Sequence, residues 1–104
     1  MNLDPILREV LAEFERGRAL HPGTDDLPDG TGGGGRRAYE RIAKLCYERA
    51  AREGRLTMLH GLEEEFCEVA AAEGSADIRR ELVQVAAYCV KWIAAIDARE
   101  GAPA

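Results

Sequence analysis

Toward the C-terminus, Ile78, Leu82, Val85, Cys89, Trp92 and Ile96 follow one another at alternating spacings of four and three. On a helix these positions form one stripe, and Ala86 and Ile93 widen it. The spacing predicts a long helix, from about Ala76 to Ala98, that packs on other helices at a shallow angle. A chain of 104 residues that commits so much length to one helix has room for a single domain. Alanine, glutamate and arginine are frequent and β-branched residues few, which favours helix elsewhere too. Alone, a chain of this size covers a modest share of its surface, so a helical one often completes its core by oligomerising.

Three further helices are expected. Asp4-Pro5 suits a helix start, and Ile6, Leu7, Val10, Leu11 and Phe14 continue at helical spacing to about Gly17. Residues 18–35 are rich in glycine and proline and read as a long flexible connector without regular structure. It is either a solvated linker or a loop that folds over a substrate. Arg36 or Arg37 should open the second helix, with Ala38, Ile42, Ala43, Leu45, Cys46 and Ala50 on its buried side. Glu53-Gly54-Arg55 reads as a stop and turn. Thr57 is a good N-cap for the third helix, which runs from Met58 to about Glu73. Its stripe is Met58, Leu59, Leu62, Phe66, Val69 and Ala70. Gly74-Ser75 connects it to the fourth, with Ser75 or Asp77 as cap. The whole, residues 1–104, is one all-α domain of four helices.

Acidic residues gather on the last two helices at telling positions. Glu65 and Glu68 are three apart, as are Glu81 and Gln84, and residues three apart share a helix face. Glu65 falls on a margin of the third-helix stripe, with Glu68 and Glu64 farther round the same flank. Asp77, Glu81, Gln84 and Tyr88 line one flank of the fourth-helix stripe. If the two helices pack antiparallel, several carboxylates and one amide converge. Crowded carboxylates repel unless a cation lies between them, and oxygen-only ligands suit Mg²⁺ or Mn²⁺ better than zinc. The plain alternative is an acidic, solvated helix face.

The pattern is Glu65-x-x-Glu68 followed, across the short Gly74-Ser75 connector, by Glu81-x-x-Gln84. It resembles the E-x-x-E…E-x-x-D metal signature of the MazG-like superfamily, the all-α nucleoside triphosphate pyrophosphohydrolases. The run from Arg80 to Ile93 is similar to the second motif helix of a small actinobacterial and phage-type branch. The resemblance is good over residues 56–97, weaker over 26–55 and not apparent before residue 20. Gln84 departs from the pattern by standing where the motif has Asp, and an amide brings no negative charge to a cation.

The resemblance implies a four-helix, MazG-like bundle completed by oligomerisation, as a homodimer or dimer of dimers with the active site near the interface. It implies Mg²⁺ or Mn²⁺ held by Glu65, Glu68, Glu81 and Gln84, and hydrolysis of a (d)NTP to a (d)NMP and pyrophosphate. Glu64 or Glu65 would orient the attacking water. Arg37, Lys44, Arg79 and Lys91 are weaker candidates for phosphate contact, each otherwise a plain surface charge. Tyr88 could stack on a base, whereas Trp92 sits at the stripe centre and reads as core. With Gln84 in the motif, the alternative is a catalytically degenerate oligomerisation or nucleotide-binding module of the same fold. A third reading is an adaptor whose acidic face binds a basic partner.

Other classes fit poorly. A net charge of −5 argues against a protein that coats nucleic-acid polymers. No apolar run approaches the roughly 20 residues that cross a bilayer. Met1 to Pro5 lack a signal-peptide layout. A cytoplasmic setting is expected. Cys46, Cys67 and Cys89 are odd in number and lack zinc-finger spacing, so they read as buried free thiols. The glycine run meets Arg36-Arg37 with no strand before it, unlike a phosphate-binding P-loop. A di-iron bundle wants Glu-x-x-His pairs, which His21 and His60 do not supply. No Cys or Ser is paired with a base for nucleophilic catalysis.

Overall fold

A computed structural model describes residues 1–101, and among these every regular element is helical. The helices are α1 (Asp4–Leu20), α2 (Gly34–Arg52), α3 (Met58–Ala71) and α4 (Ser75–Arg99), with a short 3₁₀ turn at Thr24–Asp26. The four expected helices are therefore present, and among the described residues no helix is long and apolar enough to cross a membrane. The chain divides into two compact units, residues 30–89 and residues 1–29 with the end of α4 from Val90.

In the first of these units, α2 packs along α3. Thr57 caps α3 as expected: its hydroxyl accepts the His60 amide at 3.3 Å, and His60 Nδ1 accepts the Thr57 amide at 3.1 Å. This is a reciprocal capping box with histidine in the role usually taken by Glu or Gln. Both groups are satisfied locally, which fixes where α3 begins. Gly54 and Gly74 turn the chain through the left-handed region, at positive φ, which is costly for residues with a Cβ.

The expected connector over 18–35 is shorter than the sequence suggested. α1 runs past Gly17 to Leu20, since an isolated glycine weakens a helix without ending it. Arg18 helps hold that last turn: its guanidinium lies 5.4 Å from the Phe14 ring centre and 2.9 Å from Asp25. The glycine run also contributes to helix, because α2 begins at Gly34 rather than at Arg36 or Arg37. Just before it, the Gly32 amide donates to the Ala70 carbonyl at 2.8 Å. Gly33 and Arg37 both donate to Glu73 Oε1, at 3.3 and 3.0 Å. Hydrogen bonding therefore anchors this part of the connector to the end of α3.

The buried apolar set is small: Ile6, Ala50, Ala71, Ile78 and Ala94. Several residues expected to face a core are exposed instead, among them Ile42, Leu45 and Cys46 on α2, Phe66 on α3 and Leu82 on α4. Their helical spacing is as read, but among the described residues nothing covers that part of the stripe.

Candidate metal centre

α3 and α4 supply the site, and both belong to the unit spanning residues 30–89 up to Cys89. Gly61, buried in the first turns of α3, lets Tyr88 of α4 approach the helix backbone. There the Tyr88 hydroxyl donates to the Met58 carbonyl at 2.9 Å. A Cβ at Gly61 would run into the Tyr88 ring and hydroxyl. This close approach ties the two helices together one turn before Glu65 on α3 and about two turns after Glu81 on α4. Tyr88 thereby has a packing role that its expected use as a base-stacking group did not include.

Glu65, Glu68 and Glu81 converge. One carboxylate oxygen from each lies within 4.8 Å of the other two, and all three side chains are half-buried. Oε2 of Glu65 and Oε2 of Glu81 are shut off from water and meet no hydrogen-bond donor. Buried acceptors left without a donor are rare and costly. Three anionic groups so close together also repel one another. Either a proton or a cation relieves both penalties.

Protonation is favoured at Glu68, whose carboxyl is pushed up to about 7. Burial is the main cause; a hydrogen bond shared with Glu81 comes next, and then the charges of Glu65, Glu81 and Glu64. A proton on Glu68 supplies a donor to Glu81. Glu64, beside the cluster, is also raised, first by burial and then by Glu65, with the Lys44 ammonium opposing. A carboxylate more basic than usual is suited to accepting a proton from water.

Glu68 and Glu81 also form part of the wall of a polar pocket of about 290 Å³. Its other charged walls are Arg37, Glu40, Glu73, Asp77 and Arg80. Arg37 is paired with Glu73 at 3.0 Å; Arg80 is paired with Asp77 at 3.0 Å and approaches Glu81 at 3.5 Å. Arg80, Glu40 and Glu73 escaped the sequence reading. The i, i+3 spacing of Asp77 and Arg80 was the available signal for the first. Glu40 and Glu73 enter the pocket only through the packing of α2 on α3.

The remaining sequence candidates are spread out. Gln84 is exposed, one turn on from Glu81. Lys44 is exposed on α2 and acts on the site through its charge on Glu64. Exposed Lys91 and half-buried Trp92 lie on the stretch of α4 that belongs to the other unit. The His60 ring is engaged in the α3 cap. All three cysteines are free thiols; Cys67 and Cys89 are half-buried. Burial raises the Cys67 thiol, helped by the charges of Glu63 and Glu40.

A hard divalent cation fits these residues. It would give the two donorless oxygens a partner and neutralise the crowding. An all-carboxylate set favours Mg²⁺ or Mn²⁺ over softer metals. No protein-family model, curated protein or solved structure matches the chain.

Proposed function

We propose that this chain is a Mg²⁺-dependent (or Mn²⁺-dependent) nucleoside triphosphate pyrophosphohydrolase of the MazG-like kind, splitting a (d)NTP into a (d)NMP and pyrophosphate. The observation that carries the reading is the convergence of Glu65, Glu68 and Glu81 around two buried carboxylate oxygens that lack donors. A solvated acidic face would leave those oxygens in water.

When bound, the cation supplies charge neutralisation and Lewis acidity toward phosphoryl oxygens. Glu65, Glu68 and Glu81 hold it, and Gln84 would add a neutral amide oxygen in place of a fourth charge. Glu64 accepts a proton from the attacking water, a role that its raised basicity suits. The water oxygen bonds to phosphorus, the bridge between the α- and β-phosphoryl groups breaks, and pyrophosphate leaves. Little covalent work falls to the protein, so positioning and electrostatics dominate.

The working form we propose is a homodimer or dimer of dimers. Between α2 and α3 lies an apolar groove of about 480 Å³, lined in part by Tyr39, Ile42, Leu59, Leu62 and Phe66. Tyr39 and Phe66 are both mostly exposed, and large apolar residues grouped on an open groove mark a surface that a partner covers. A second copy would cover them. Free thiols suit the reducing cytoplasm in which we place the protein.

Pyrophosphate release from a panel of NTPs and dNTPs tests the activity. Release is expected with Mg²⁺ or Mn²⁺, none with a chelator, and none from folded Glu65→Ala or Glu81→Ala. Release that survives chelation, or no release from the folded wild type with any nucleotide, contradicts the reading.

A further inference from the structure

The carboxylates explain where a cation would sit, but they leave the substrate's own charge unanswered. A triphosphate carries several negative charges, and the pocket beside the cluster is walled mostly by acidic groups. Of the described side chains that line it, Arg37 on α2 and Arg80 on α4 alone are cationic. Lys44 and Arg79 do not reach its wall.

Arg80 is built into this position. Asp77, one turn earlier on the same helix, holds one guanidinium nitrogen at 3.0 Å. A second nitrogen stands 3.5 Å from Glu81 Oε1, at the outer limit of a hydrogen bond. The planar guanidinium carries five N–H donors in a fixed fork, so this anchoring leaves donors to spare. The pair with Asp77 is more than half-exposed, and such pairs add little to stability. Its more evident consequence is to hold the fork beside Glu81, at the seam between pocket and carboxylate cluster. Arg37 is held in the same way from the other helix, through Glu73, which also takes the Gly33 amide.

We propose that Arg80, assisted by Arg37, is the substrate-positioning residue that binds phosphoryl oxygens of the nucleoside triphosphate. This rests on the hydrolase reading and extends it from the cation to the anionic substrate. A guanidinium fork matches two phosphoryl oxygens at once, which an ammonium does not. Bound there, the phosphate chain lies against Glu81 and so beside the carboxylate cluster. The arrangement selects polyphosphates that arrive with a divalent cation, since the acidic walls would repel a bare one.

The test is the affinity of an α,β-methylene dNTP analogue, measured calorimetrically at saturating Mn²⁺. Arg80→Gln should weaken binding by about tenfold or more, with Arg80→Lys intermediate, as expected for a lost charge-assisted bidentate contact. Arg37→Gln should weaken it less, and Arg79→Gln should match the wild type. Mn²⁺ binding without nucleotide should not weaken in Arg80→Gln, because removing a nearby positive charge does not disfavour a cation. Wild-type analogue affinity in Arg80→Gln overturns this proposal alone. Mn²⁺ binding lost together with analogue binding overturns it too, by making Arg80 a support for Glu81. A wild type that binds Mn²⁺ but no analogue overturns both this proposal and the hydrolase reading.

Discussion

Glu68 is the residue whose chemistry folding changes most, chiefly through burial. Folding raises its carboxyl from 4.5 to about 7, so between those values the folded chain holds a proton that the unfolded chain has released. Its contribution to stability is therefore complete on the acid side of 4.5 and is lost as pH rises through about 7, the direction that proton linkage requires. In metal-free protein the melting temperature should fall as pH rises through this window, and Glu68→Gln should flatten that dependence. A profile unchanged by the substitution would show that Glu68 does not carry the proton. Mg²⁺ held as proposed would compete for the same oxygens, so its affinity should drop as pH falls below about 7. Glu65 and Glu81 were legible in the sequence as i, i+3 members of two helices. The donorless oxygens were not, because they depend on how closely α4 approaches α3.

That approach is an element-scale property, set where Tyr88 of α4 meets the α3 backbone at Gly61. Alanine at an ordinary helical glycine gains about 1 kcal/mol in propensity. At Gly61 the new Cβ meets the Tyr88 ring, and overpacking of this kind costs about 1–3 kcal/mol. Gly61→Ala should therefore be destabilising in urea unfolding; a stabilised variant would show that Tyr88 has room to move. Thr57→Ala removes the hydroxyl that accepts the His60 amide. Loss of such a cap should cost about 1 kcal/mol in the same assay. Sequence periodicity placed all four helices and the Thr57 cap. It misjudged their ends where glycine was involved, since Gly17 and the pair Gly34 and Gly35 were read as breaks although each lies within a helix. The anchoring of Gly32 and Gly33 on the end of α3 had no local signal, because its partners, Ala70 and Glu73, lie far along the chain.

For the whole molecule, the exposed apolar groove and the carboxylate cluster lie on the same unit of the chain, built from α2, α3 and the first part of α4. The stripes on these helices were readable, but not which parts one chain covers by itself, because the pattern is the same whether the partner is internal or a second copy. If copies associate through the groove, Phe66→Arg should lower the molecular mass seen in sedimentation without loss of helix; an unchanged assembly would place the interface elsewhere. Whether three carboxylates meet to hold a divalent cation can be tested with neither nucleotide nor turnover. Mn²⁺ should be titrated into wild type, Glu65→Gln and Glu81→Gln, with helix content checked by circular dichroism. Saturable binding by the wild type is expected, with affinity at least about tenfold weaker in each folded variant, as for loss of a charged oxygen ligand. Equal binding in all three proteins, or none in the wild type, would contradict a cation site at these residues.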